Sequence, residues 1–294
     1  MVVIGNYVQT WKLMLSTAKT VSAVFHLKKS TTATKPAPFC SEPKYLGVTL
    51  DRSLTYHRHL ESLRKKLTSR VALLRRLAGS GWGAGATTLR KATLALVHST
   101  AEYCVPVWCR LIDPAINDAL RIVTGCLRPT PADNLPILAG IQPAELRRYG
   151  ATLSLVHRAM EPGHLLHSAL TRPSSANARR LKSRHPFVPA AQPTHVWHSG
   201  RITNGTTLPR SAWIRLNHLR IGVGRFRFCL YKWGMPSSAA CECGAEEQTV
   251  GHVVLQFPID RPSHGLHDLT VLDDETTEWL LNTCPEIYCG QAVV

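Results

Sequence analysis

Residues 43–77 read PKYLGVTLDRSLTYHRHLESLRKKLTSRVALLRRL. Leu46, Val48 and Leu50 alternate with smaller or polar residues, which predicts a short strand over Tyr45–Leu50. Gly47 inside it would allow close backbone approach. Asp51-Arg52-Ser53 predicts a turn. From His57 onward, Leu60, Leu63, Leu67, Val71, Leu74 and Leu77 recur in steps of three and four, one continuous helical stripe. Off the stripe lie Arg58, Arg64, Lys65, Lys66, Arg70, Arg75 and Arg76, with Glu61 as the single acid. An ordinary amphipathic helix with a solvated face accounts for this pattern. So does a helix that packs on a sheet and lays a positive face along a phosphate backbone.

Upstream, Val21, Ala23, Phe25 and Leu27 alternate and predict a second strand. A polar connection over 28–42 joins it to the first, so the simplest arrangement is an antiparallel pair of 21–27 with 45–50. Downstream, a helix is expected over Thr87–Tyr103. Another starts at Asp113-Pro114, with Asp as N-cap and Pro in the first turn, and stops at Gly125. A third follows Pro143, with Leu146, Tyr149, Leu153, Val156 and Met160 as its core stripe. Residues 171–208 are rich in Ser, Pro, Asn and Arg without periodicity and read as a basic, disordered linker. Pro209 opens a further helix with Trp213, Leu216 and Leu219 on one face, closed by Gly222. Arg215 and Arg220 lie on its other faces. Arg225-Phe226-Arg227-Phe228 interleaves charge with aromatics, as base stacking or a half-buried basic strand would.

The charge is distributed in blocks. Residues 1–161 hold 22 Lys+Arg against 9 Asp+Glu, residues 162–241 hold 12 against none, and residues 242–294 hold 1 against 10. An 80-residue window without a carboxylate repels itself unless an anion offsets it, and nucleic acid is the favoured anion over a membrane surface. No run of about 18 apolar residues predicts a membrane span, and the start is a poor secretory signal. Nine cysteines, an odd number in a long chain, fit a reducing compartment. Nucleus or cytoplasm is the expected location.

Cys241-Glu242-Cys243-Gly244 precedes His252. Thiolates and imidazole are ligands that zinc prefers, and a tight Cys-x-Cys-Gly turn can present two sulfurs to one ion. A fourth ligand is expected a few residues past the histidine, where Phe257 stands. Cys284, Cys289, His264 or His267 would substitute only if the tail folded back. A zinc site and an emptied, degenerate knuckle are both open readings.

Three features in order carry a resemblance. These are Trp11-Lys12-Leu13 with Lys19-Thr20 and Phe25, then Tyr45-Leu46-Gly47-Val48, then Cys241-x-Cys243-Gly244 with His252. Together with Trp108, Arg121-Ile122-Val123-Thr124-Gly125 and Trp213 to Gly222, the chain resembles the C-terminal half of reverse transcriptases from non-LTR (LINE-type, jockey-like) retrotransposons. The resemblance implies an α+β, mainly α fold: a short antiparallel hairpin as palm remnant, a helical thumb-like array, and a small Cys/His-containing C-terminal domain. The implied division is 1–55 palm remnant, 56–170 thumb and extension, 171–208 linker, and 209–294 Cys/His domain with an acidic tail. Lys19 matches a palm lysine that would help protonate departing pyrophosphate, and Gly47 lies in a primer-grip-like hairpin.

The family's catalytic carboxylates lie in palm motifs ahead of Trp11, whereas the first acid here is Glu42. Two-metal nucleotidyl transfer needs such carboxylates to hold magnesium, so this chain alone is expected to be inactive, with magnesium relevant only if a catalytic palm is supplied. The expectation is a truncated RNA-directed DNA polymerase fragment with no small-molecule substrate. It would bind RNA, DNA or RNA–DNA hybrid through Arg64, Lys65, Lys66, Arg70, Arg75, Arg76, Arg215, Arg220, Arg225 and Arg227. Zinc would sit at Cys241, Cys243 and His252. Two alternatives stand: part of an active enzyme whose palm lies upstream, and a structural or interaction protein derived from a retroelement.

Overall fold

Lys44–Tyr45 (β1) pairs antiparallel with Val48–Thr49 (β2), Lys44 opposite Thr49 and Tyr45 opposite Val48. The two residues between them, Leu46 and Gly47, have φ of 45° and 84°. A two-residue hairpin loop with both central residues at positive φ matches the right-handed twist of its strands. This corrects the single strand over Tyr45–Leu50; among the described residues its two halves pair with each other, and no strand over 21–27 pairs with them. Gly47 is a turn residue, and Leu46, which seldom adopts positive φ, hid the turn. The Ser22 carbonyl instead accepts from the Cys40 N–H at 2.9 Å, and residues 24, 26 and 27 lie outside the described residues.

The computed structural model describes residues 7–14, 16, 21–23, 25, 40–79, 83–108, 113–168, 205–256, 265, 269–270 and 272–282. It is mainly helical with this one short sheet, the expected α+β, mainly α class. The chain divides into two compact units, Met1–Lys65 and Lys66–Val294. In the first, Trp11, Leu13, Met14 and Val21 are each more than half exposed. Asp51 builds the expected turn, accepting from the Thr55 hydroxyl and, at 2.7 Å, from the Tyr56 N–H. Burial pushes the Asp51 carboxyl up, but these hydrogen bonds outweigh it and hold the group below its ordinary value.

Helix α1 spans His57–Leu77. Leu60, Leu63, Leu67, Val71 and Leu74 are buried, whereas Leu77, the end of the expected stripe, is 42% exposed. Ala86–Thr93 (α2) runs through a π-helical turn at Leu94–His98 into Ser99–Ala101 (α3). The π turn includes Leu96. Its carbonyl accepts from Arg70 Nη1 at 2.6 Å and from the Thr100 hydroxyl at 3.1 Å. Val105–Trp108 (α4), Asp113–Thr124 (α5), Asn134–Ala139 (α6) and Ala144–Ala159 (α7) complete this region. The expected core stripe of α7 is only half covered. Leu146, Tyr149, Leu153 and Val156 are half-buried, Met160 is exposed, and Arg148, Thr152 and Ala159 are buried. Its neighbour α4 has four residues, about 6 Å of helix against about 24 Å, too short to cover the stripe.

Arg210–Ile221 (α8), Arg227–Lys232 (α9), a π-helical turn at His252–Gln256 and Asp274–Asn282 (α10) follow. Trp213, Leu216, Leu219, Phe226, Val253, Val254 and Leu280 form their shared core. Phe226 is fully buried and lies just before a helix, which removes it from the expected charge–aromatic stacking platform. Phe228 packs on the same core, with the Lys232 ammonium 4.2 Å from its ring centroid.

Side chains of α8 cap the C-terminus of α5. A helix leaves its last four carbonyls without intrahelical partners. Here Ile122 and Val123 accept from Arg210, the latter at 2.6 Å, and Val123 also from Trp213 Nε1 at 3.0 Å. Thr124 accepts from Asn217 Nδ2 at 2.9 Å, and the Gly125 carbonyl lies 3.1 Å from His218 Nε2. Gly125 has φ +74°, and a Cβ there would sit 2.3 Å from Ile214 Cγ1. The expected stop signal is thus also a contact point that only glycine fits.

Candidate metal centre and nucleic-acid interface

The Cys/His turn is built by short-range bonds. The Gly244 N–H donates to the Cys241 carbonyl at 3.1 Å and the Cys241 N–H to the Ala245 carbonyl at 2.9 Å. Gly244 at φ +94° lets the chain reverse without a Cβ clash. Val253 and Val254 anchor the following π turn in the core, which carries His252 to the same place. Cys241, Cys243 and His252 then converge, with their ligand atoms all within 4.8 Å of one another. Cys241 and His252 are buried and Cys243 is exposed.

The donor set fits zinc. Zinc–sulfur and zinc–nitrogen bonds of about 2.3 and 2.0–2.1 Å put tetrahedral donors about 3.5–3.8 Å apart. Cys243 Sγ lies 3.0 Å from His252 Nε2, a hydrogen-bond distance that would open by about half an ångström around an ion. Outer contacts suit the same role. Gln248 Nε2 points at Cys241 Sγ from 3.6 Å, and Gln256 Oε1 lies 3.5 Å from His252 Nδ1. Nε2 is the ring nitrogen nearer to Cys243 and the one placed to bind an ion. No fourth Cys, His, Asp or Glu joins the group among the described residues. Phe257, Cys284, Cys289, His264 and His267 lie outside them, as does Lys19.

The basic residues separate by environment. Arg64, Lys65, Lys66, Arg75 and Arg76 are exposed along α1. Glu61 pairs with Lys65 at 3.4 Å, and Asp118 approaches Arg75 at 3.6 Å. Arg70 is held on Leu96, as above. On α8, Arg215 donates to the Leu280 carbonyl and Arg220 to that of Leu269, at 2.5 and 2.9 Å. Burial draws the Arg220 and Arg210 guanidinium groups down to about 10, so both stay charged at neutral pH. Arg225 is half-buried, and Arg227 forms an ion pair with Glu242 between the two cysteines.

One network was not foreseen. Glu102 accepts both Arg147 nitrogens at 2.6 and 2.7 Å and lies 2.9 Å from His98 Nδ1. Burial raises the Glu102 carboxyl, but the Arg147 and His98 hydrogen bonds and charges override it and hold it down to about 2. Its members stand 45 residues apart in sequence, which no local pattern reveals.

A Pol polyprotein from type-1 retrotransposable element R1 4 of Nasonia vitripennis is 24% identical over 76% of this chain and 62% of its own length. The putative 115 kDa protein in element R1DM of Drosophila melanogaster is 24% identical over 90% of this chain and 29% of its own. A probable RNA-directed DNA polymerase from transposon BS of Drosophila melanogaster is 28% identical over 42% and 15%. The homologues of this chain are non-LTR retrotransposon polyproteins and RNA-directed DNA polymerases. This retroelement-related chain therefore spans less than two thirds of each of these three relatives. No family model and no solved structure matches it. Among the described residues, no helix is long and apolar enough to cross a membrane.

Proposed function

We propose that this chain is the nucleic-acid-gripping part of a non-LTR retrotransposon RNA-directed DNA polymerase. It holds RNA, DNA or their hybrid, and nucleotide addition falls to carboxylates other than its own. The observation that carries this reading is α1. Its apolar stripe is buried, while Arg64, Lys65, Lys66, Arg75 and Arg76 stand on the exposed side, the arrangement that counterion release rewards. The names of the relatives support it. Residues 1–55 act as the palm remnant, 56–170 as the thumb and its extension, 171–208 as the linker, and 209–294 as the Cys/His domain. Zinc at Cys241, Cys243 and His252 cross-links the turn to the core. Lys19 and magnesium take part only where a catalytic palm is present. The protein works in the nucleus or the cytoplasm.

A salt series on RNA, duplex DNA and hybrid tests the reading. With five phosphates neutralised, log K should fall by about 4.5 per unit of log[salt] on duplex DNA. A flat response rejects it. The second reading, a chain that itself extends primers, is favoured only by the polymerase names of relatives. It requires extension of a primed template by this chain with magnesium, where the leading reading expects none.

A further inference from the structure

We infer that the Cys-x-Cys turn is a redox-reactive dithiol, in which peroxide and a thiophilic metal compete for the same two sulfurs. Cys243 is exposed and Cys241 is buried beneath it, so one thiol meets solutes and the other is sheltered. Both sulfurs and His252 Nε2 lie within 4.8 Å of one another. The 241–245 turn, closed by the Gly244 N–H on the Cys241 carbonyl, keeps the two sulfurs close enough that a modest side-chain movement brings them together. His252 Nε2 lies 3.0 Å from Cys243 Sγ, so the same cluster that would hold a metal gathers the reactive sulfur.

The chemistry balances with hydrogen peroxide as the named oxidant. The Cys243 sulfur attacks one peroxide oxygen, the O–O bond breaks, and the thiol proton goes to the departing oxygen. One water leaves, and Cys243 is a sulfenic acid. The Cys241 sulfur then attacks Cys243 Sγ, an S–S bond forms, the S–O bond breaks, and the hydroxyl leaves as a second water with the Cys241 proton. Two thiols give up two electrons and peroxide accepts both. The disulfide no longer offers thiolates to zinc, so oxidation releases the metal and bound metal blocks oxidation.

The test uses the full chain, chelator-treated or zinc-loaded, exposed to hydrogen peroxide, with free thiols alkylated and peptides mapped by mass. The expected result is loss of two hydrogens on the peptide holding Cys241 and Cys243, with zinc slowing this by about tenfold or more. Cys241→Ser should leave Cys243 as a sulfenic acid trapped by a dione probe. The wild-type map needs no variant to fold. Pairing of Cys243 with another cysteine, sulfinic acid at Cys243 without a disulfide, or equal rates with and without zinc would each overturn the inference. The inference rests on the zinc reading of this site and not on nucleic-acid binding: equal rates with and without zinc would count against both the inference and zinc here, whereas the other two failures overturn the inference alone.

Discussion

Helices α1 and α8 are both rich in arginine, and they use it in opposite ways. On α1 the cations at 64–66 and 75–76 point away from a buried leucine stripe. On α8, Arg210, Arg215 and Arg220 recur every five residues and each ends on backbone carbonyls, those of α5, of α10 and of Leu269. A step of five carries successive side chains around the helix, so each meets a different neighbour. Cations favour helix C-termini, where unpaired carbonyls and the macrodipole concentrate negative potential. A count of basic residues thus measures two things at once: charge offered to a phosphate backbone and charge consumed inside the fold.

The sharpest way to break this distinction is at α8. Arg210→Ala should destabilise the chain by about 3–4 kcal/mol, because two carbonyls lose charge-assisted donors in a closed interface. Denaturant midpoints measure it. The salt slope of nucleic-acid binding, read while the variant is still folded, should stay unchanged. A lost slope with unchanged stability would move Arg210 to the contact face.

Glu102 tests the same inward use of charge with pH. Its folded pKa of about 2 lies below the ordinary 4.5, so its contribution is fully present above about 4.5. It disappears as pH falls from about 4.5 through about 2. The amount is about 2–3 kcal/mol. Glu102→Gln should be less stable at neutral pH and should flatten stability across that acid window. An unchanged acid limb would mean that Arg147 and His98 do not hold the carboxylate.

How far the sequence was legible follows from the range of each signal. The α1 stripe, the helix starts near Asp113-Pro114 and Pro143 and the stops at Gly125 and Gly222 were readable because period, start and stop signals are local. The Cys/His cluster was readable because its ligands lie within 12 residues. The β1–β2 hairpin was misread because Leu46 adopts a conformation its side chain disfavours. Helix α9 was misread because Arg-Phe-Arg-Phe alternates like a strand, while tertiary packing buries Phe226 ahead of a helix. The carbonyl caps were invisible because Arg210 finds its partners 87 and 88 residues away.

On α1, replacing Arg64, Lys65, Lys66, Arg75 and Arg76 together by Ala should cost little stability, within about 0.5 kcal/mol per site. It should remove about 4–5 from the salt slope. Replacing Arg52 by Ala serves as the off-face control and should leave the slope alone. If both variants lower affinity equally, net charge and not the helix face governs binding.

The finest test lies within α1 itself. By sequence, Arg70 belongs with its neighbours. By geometry its use of charge is that of α8, because Nη1 donates to the Leu96 carbonyl at 2.6 Å. Arg70→Ala should therefore cost about 1–2 kcal/mol with no change in salt slope. Arg75→Ala, whose partner is an exposed Asp118 at 3.6 Å, should lower the slope by about 0.9 with stability nearly unchanged. If the two variants exchange these outcomes, the Leu96 carbonyl does not hold Arg70 in solution, and the basic face of α1 includes position 70.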